Sequence, residues 1–367
     1  MKRCTRCVMD DHADSTIVFD ENGVCNYCTK ALEDAKTVWL PNEQGQEKLN
    51  ALLAQIREAG KGKKYDCIMG ISGGLDSSYL AYLGSKWGLR ILGVHVDDGF
   101  DTEISKNNIQ KLCKAAKIDL VTITPDAEQF NDLTRAYMLA GVPNLATPQD
   151  NVLFACLYSY MREHQIRYFL VGGNFALESI LQRGNTYTPY DTVNIRAIHR
   201  RFGRKPIHKL KLISRYRVIL EKKLLGVQTV SPLNWVPYER DRAFAELKDF
   251  CGFEYYGSKH LENILTAFIQ LYWFPKKFGV DKRTSHLSSM IVSGQMTREQ
   301  ALAELEKPSC DEKLLSNYIR IVKERLELTD AEFDLIMAAP AKQHTDYPTD
   351  LLLTLGRNLR KERGKQR

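Results

Sequence analysis

Long apolar runs are missing from this 367-residue chain: none reaches the roughly 18 residues that a membrane span needs. The first residues carry charge and cysteine where a secretory leader would carry an apolar h-region, so a cytoplasmic protein is expected. A strong charge of one sign is also lacking. Lys plus Arg number 52 against 45 Asp plus Glu, a net +7 that small anions explain as well as nucleic acid does. The nine cysteines include only two CxxC pairs, with the rest scattered singly in apolar contexts. That usage fits a reducing compartment with one metal site better than a disulfide framework. A chain of this length exceeds one simple core and suggests two domains with attachments.

The two pairs are Cys4-Thr5-Arg6-Cys7 and Cys25-Asn26-Tyr27-Cys28, separated by seventeen residues. Four thiolates at this spacing match a zinc ribbon over residues 1–35, with Zn2+ in a structural role. Ile17–Asp20 and Asn22–Val24 read as a small hairpin turning at Asn22-Gly23. Residues 36–64 form a polar connector holding an amphipathic helix from about Gly45 to Ala59, with Leu49, Leu52, Leu53 and Ile56 on one face.

From residue 65 to 253 strand and helix signals alternate. Strands are expected at 65–71, 90–97, 119–124, 167–171 and 227–230, and helices at 76–87, 102–116, 126–139, about 151–164 and 240–250. Repeated βα units with apolar strands imply a parallel sheet covered on both faces, which binds ligands beyond the carboxyl ends of its strands. Residues 183–223 interrupt the pattern with a basic insert of little periodicity. The region 254–367 reads as helical, with a helix from Ile264 to Trp273, capping boxes at Thr297/Gln300 and Thr329/Glu332, and a basic tail from Arg357.

Three strand ends are polar or glycine-rich, at 72–78, 97–99 and 172–174, and they are expected to meet in one crevice. The richest is Ser72-Gly73-Gly74-Leu75-Asp76-Ser77-Ser78, a glycine turn between the first strand and a helix. Glycine permits close backbone approach, and a helix N-terminus favours an anion. The hydroxyls of Ser72, Ser77 and Ser78 add donors, and the Asp76 carboxylate suits Mg2+ on a phosphate. No GxxxxGK[ST] occurs, so this is not the common lysine-bearing phosphate loop.

SGGLDSS after the first strand resembles the signature of the PP-loop ATP pyrophosphatases, whose domain is similar to the adenine-nucleotide α-hydrolase fold. The opening CxxCVMD, the GGNFALES segment at 172–179, the run Ile195-Arg196-Ala197-Ile198-His199 and FGVDKRTSHLSSMIVSGQMTREQAL at 278–302 are similar to N-acetyl sugar amidotransferases of surface-polysaccharide biosynthesis. The resemblance implies adenylation of the acetamido oxygen of an N-acetylated sugar, or nucleotide sugar, by ATP. Ammonia from a separate glutaminase partner then gives an acetamidino group, with AMP and pyrophosphate released. It further implies that ATP and Mg2+ are held by Ser72, Gly73, Gly74, Asp76, Ser77, Ser78, Asp97, Gly172 and Asn174, with Asp76, Asp97 and Asn174 nearest the chemistry.

Arg196, His199 and Arg200, then Lys259, His260 and Glu262, then Lys282 and Arg283, are candidate substrate contacts. A tRNA-modifying thiolase and a non-catalytic assembly module are the competing readings. Gly173, where thiolases of this class commonly have histidine, and the absence of a further CxxC weigh against sulfur transfer. No nucleic acid is expected as partner.

Overall fold

The computed structural model describes residues 2–12, 14, 16–257 and 261–353. Lys259, His260 and the basic tail from Arg357 lie outside the described residues. Five parallel strands, β1 (Cys67–Gly70), β2 (Ile91–Val96), β3 (Asp119–Ile123), β4 (Tyr168–Leu170) and β5 (Gln228–Val230), form one sheet in the order β3-β2-β1-β4-β5. The central β1 is apolar along nearly its whole length because it is covered on both faces. Cys67, Met69 and Ile71 pack with α2 (Glu43–Ala59), α3 (Leu75–Lys86), α4 (Glu103–Ala116) and α10 (Arg240–Cys251). Ile68 points the other way, with Leu92 and Val94 of β2, onto Ala155, Leu157 and Met161 of α6 (Thr147–Glu163). Period-two alternation thus feeds two cores at once.

A second body is helical. The C-terminal helices α11 (Ile264–Phe268), α12 (Arg283–Val292), α13 (Arg298–Glu306), α14 (Glu312–Arg325) and α15 (Asp330–Ala338) follow a capping asparagine, Asn263. Phe268, Trp273, Val322 and Phe333 share a core with Phe130, Leu133 and Tyr137 of α5 (Ala127–Ala140) and with Ile195 and Ile198 of α8 (Thr192–Phe202). The helical core therefore reaches back into the α/β region. Both capping boxes form as the side chains of Gln300 and Glu332 reach back to Thr297 and Thr329.

Differences from the sequence reading have local causes. The basic insert folds into α8 and α9 (Arg215–Leu224), capped by Asp191 and Ser214. Two apolar contacts, Ile195 and Ile198, suffice to seat α8, too few to show as periodicity. The helix expected from about residue 151 begins at Thr147, because Pro148 fits the first turn where no amide is needed. Beyond Phe268 the helix widens into π geometry over Ile269–Phe278, with Pro275 inside it. The 17–24 hairpin reduces to one antiparallel bridge, Phe19 to Cys25. The second CxxC opens a helix, α1 (Asn26–Val38).

Candidate functional site

The SGGLDSS loop leaves β1 and enters α3 at the carboxyl edge of the sheet. Gly73 has φ +75°, and a Cβ there would lie 2.6 Å from the carbonyl oxygen of Ser105 in the first turn of α4. Only glycine meets both demands. Gly172, past the end of β4, approaches the loop from the other side, where a Cβ would lie 2.8 Å from the amide nitrogen of Ser77. Within the turn, Gly74 N donates to Ser72 Oγ at 3.2 Å, and the Ser72 and Ser77 hydroxyls lie 3.1 Å apart. Leu75 N donates to Tyr256 Oη at 2.8 Å, and Tyr238 Oη donates to the Asp76 carboxylate. Burial, with Asp76 beside one phenol and Glu262 beside the other, pushes Tyr238 and Tyr256 well above the ordinary tyrosine range.

Two cavities meet at this loop. One, of about 420 Å³, is bounded by Ser72, Gly74 to Ser77, Gly172, Gly173, Glu178, Arg240, the aromatic group Phe244, Tyr255 and Tyr256, and His286 of α12, with Asn174 outside its wall. The other, of about 320 Å³, lies over the ends of β1, β2 and β4. It has apolar walls from Leu153, Phe154, Leu157 and Phe169 and a polar rim including His95, Asp101, Gln149 and Asn263. Ser72, Gly172 and Glu262 line both.

At the end of β2 the cavity meets Asp101 in place of the expected Asp97. Asp97 turns into its own loop, accepting from Gly99 N at 3.0 Å, with Lys106 Nζ 3.7 Å away. Asp98 is buried and accepts from Phe100 N, Asn263 Nδ2 and Gln149 Nε2. Burial, then the neighbouring Asp101 charge, pushes its carboxyl up to about 6. Asn174 caps α7 (Phe175–Glu178): its Oδ1 accepts from Leu177 N at 2.9 Å and its Nδ2 donates to Gly172 O at 3.1 Å, which shapes the second glycine turn. Ser78 is fully buried behind the loop.

The substrate candidates do not gather in one place. Arg196, His199 and Arg200 line a separate groove on α8 with Pro206 and His208. Arg283 borders the larger cavity, yet its guanidinium is committed to Asp281 and to the carbonyls of Glu304 and Lys307. Lys282 lies at the start of α12, 6.0 Å from the Phe274 ring. Residues missed in sequence are Arg240, Phe244, Tyr255, Glu178 and Asp101. They come from segments as far apart as Asp101 and Tyr255, and of the five only Glu178 sits in a quoted motif, GGNFALES at 172–179.

Cys4, Cys7, Cys25 and Cys28 are buried, with ligand atoms all within 4.8 Å of one another, and could hold a metal ion. Backbone amides point at the sulfurs, among them Cys25 N to Cys4 Sγ at 3.2 Å and Cys7 N to Cys4 Sγ at 3.4 Å. Hydrogen bonding among the four sulfurs pushes the Cys28 and Cys7 thiols up and Cys4 and Cys25 down; a divalent cation at the centre would favour all four as thiolates. The donor set fits Zn2+. The unit docks on α12 and α13: Val8 N donates to Ser288 Oγ at 3.3 Å, and the Arg298 guanidinium reaches the carbonyls of Cys7 and Cys4. Cys67, Cys113 and Cys156 are buried, and none lines either cavity.

The parallel five-stranded sheet, its glycine loop and the helical C-terminal body define an α/β protein with a glycine-rich turn at the carboxyl edge of its sheet. Residues 262–360 match the family described as LPS biosynthesis protein WbpG-like, C-terminal domain, in accord with the resemblance to N-acetyl sugar amidotransferases. An uncharacterized protein of Methanocaldococcus jannaschii is 21% identical over 314 residues, covering 85% of this chain and 96% of that protein. Among solved structures, the NH3-dependent NAD synthetase of Campylobacter jejuni shows 14% identity and a TM-score of 0.35, over 79% of this chain and 96% of that one. The U34-tRNA thiolase NcsA of Methanococcus maripaludis shows 12% and 0.31, over 88% and 89%. Likenesses this distant assign no residue a role. Among the described residues no helix is long and apolar enough to cross a membrane.

Proposed function

We propose that this chain is a nucleotide-dependent enzyme of lipopolysaccharide biosynthesis, and more narrowly an ATP-dependent amidotransferase that turns the acetamido group of a sugar into an acetamidino group. The observation that carries the reading is the placing of one phosphate-cradle loop between two cavities that share Ser72, Gly172 and Glu262. The apolar cavity over the strand ends suits adenosine. The larger one, with its aromatic group and Arg240, suits a sugar and its anionic substituent. A phosphate at Ser72–Gly74 lies where both reactants reach it.

An amide needs activation because nitrogen donation makes its carbon a poor electrophile and oxide does not leave. Attack of the amide oxygen on the α-phosphorus of ATP breaks the bond to pyrophosphate and gives an O-adenylyl imidate. Ammonia adds to the imidate carbon, a proton is lost, and AMP departs with the former amide oxygen. The loop's amides and hydroxyls would hold the phosphates, and Asp76, oriented by Tyr238, would carry Mg2+. Catalysis is then mainly positioning and electrostatics. A glutaminase partner would supply the ammonia.

The test incubates purified protein with ATP, Mg2+, isotopically labelled ammonium and N-acetylated sugars, free and nucleotide-linked. The expected products are AMP, pyrophosphate and a sugar in which labelled nitrogen has replaced the amide oxygen by mass spectrometry. AMP formed only with tRNA and a sulfur donor would refute the amidotransferase reading.

A further inference from the structure

His95, next to last in β2, is buried, and different segments hold its two ring nitrogens. Nδ1 lies 2.9 Å from the carbonyl oxygen of Ile71, the residue between β1 and Ser72. Nε2 lies 3.0 Å from Oδ2 of Asp101. A carbonyl only accepts, so Nδ1 carries a hydrogen. A bare Nε2 would then set its lone pair against a carboxylate oxygen. That Asp101 oxygen is buried with no hydrogen-bond partner among the described residues, so an imidazolium at ion-pair distance is the charge that answers it.

Asp101 is itself part of a junction. Its Oδ1 accepts from Asn263 Nδ2 at 3.2 Å, and the same amide reaches Asp98 at 3.2 Å. The main chains join alongside, with Ile264 N donating to Phe100 O at 2.7 Å and Thr102 N to Glu262 O at 3.0 Å. His95 thus stands between the start of the phosphate loop and the first residues of the C-terminal body.

We propose that His95, as an imidazolium, is a latch that ties the start of the SGGLDSS loop to the C-terminal body through Asp101 and Asn263, and so positions the loop for phosphate. The role in phosphate binding rests on reading the loop as the ATP cradle. The charged groups around His95 are Asp101 against it, Asp98 behind Asn263, and Asp97 at the strand end with Lys106 beside it. Asp150 and Glu262 line the same cavity. Burial opposes the charge, but Asp101, the Ile71 carbonyl and Asp97 outweigh it, so the proton is held above the ordinary histidine range. An incoming phosphate adds negative charge and holds it more firmly. Rising pH removes the proton and releases the latch.

Imidazole-labelled NMR on ligand-free protein reads the proton directly. Both His95 nitrogens are expected to be protonated at about pH 7, where an ordinary histidine is mostly neutral; a neutral His95 there overturns the latch. Hydrogen exchange at the amides of 71–74 is expected to quicken in His95→Gln and in Asp101→Asn, and unchanged exchange in both, folded, variants overturns it too. In ATP titrations the wild type is expected to bind about tenfold more weakly at pH 9 than at pH 7, and both variants to bind weakly with a flat profile. A His95→Gln protein that keeps the wild-type profile refutes the proposal. Wild-type protein that does not bind ATP, with NMR and exchange as expected, overturns the cradle reading and supports the latch alone.

Discussion

Replacing Arg298 with alanine tests whether the cysteine unit and the helical body stand or fall together. Arg298 opens α13 directly after its Thr297 cap. A cation there faces the positive end of the helix, a cost of about 0.3–1 kcal/mol that needs an offset. The guanidinium finds one in Nε 3.2 Å from Cys7 O and Nη2 3.1 Å from Cys4 O. Both cysteines are fully exposed to nothing but protein, at 0% accessibility, so their carbonyls have little water to turn to. Hydrogen bonds from a charged donor contribute about 1.5–3 kcal/mol each, and an abandoned buried acceptor costs a similar amount. Discounted for the half-exposed arginine and the relieved dipole penalty, Arg298→Ala is expected to lose about 2–4 kcal/mol. Urea unfolding of zinc-loaded protein measures the loss, and a colorimetric chelator measures metal release, expected to quicken in parallel. Arg298→Lys, with one compact charge, is expected to recover part of both. A loss below about 0.5 kcal/mol with unchanged metal release would refute the reasoning.

Gly73→Ala is expected to cost more than Gly62→Ala, because both have positive φ but only Gly73 would press a Cβ onto Ser105. Chemical denaturation should separate about 1 kcal/mol of backbone strain at Gly62 from at least twice that at Gly73. Tyr238→Phe removes the donor to Asp76 and is expected to weaken Mg-ATP binding about tenfold in titration calorimetry, with Tyr79→Phe as a buried control outside the cavities. The folded-state carboxyl of Asp98 stands at about 6, above its ordinary 3.8, so the native state holds the proton that the unfolded chain gives up. Stability from this group is therefore greatest below about pH 4 and falls by about 3 kcal/mol as pH rises through 6; Asp98→Asn should flatten that slope in denaturation followed against pH.

The α/β half was legible because its signals are local. Cys67–Gly70 is apolar on both faces, Gly73 and Gly74 mark the turn, and the strand edges moved by only a few residues. The Thr297 and Thr329 boxes were legible for the same reason: three residues specify a cap. What stayed hidden depends on distance along the chain. Asp97 and Asp101 are alike in sequence, and only the bridge to Asn263 turns Asp101 toward the cavity. Arg283 reads as a free cation until Asp281 and the α13 carbonyls are seen around it. Arg196, His199 and Arg200 cluster by composition, but α8 packs Ile195 and Ile198 into the helical core and faces them to another groove.

The two cavities have different foundations. The one over the strand ends is walled by β1, β2, β4 and α6, elements held in the double-sided core of the sheet. The larger one takes its far wall from α7 and α12, and behind that wall sits the cysteine unit. Phe175 and Ile180 pack with Cys4, Cys25 and Cys28, and Arg183 N and Gly184 N are tied to Tyr27 and Asp14. His286 and Leu287 face the cavity from the same helix whose Ser288 bonds Val8. A metal held by these four cysteines would therefore be tied to the geometry of one cavity and far less to the other. In the amidotransferase reading, the nucleotide side rests on the sheet and the sugar side rests on the metal centre. Variation in the helical body can then reshape the acceptor wall while the phosphate loop keeps its place on β1.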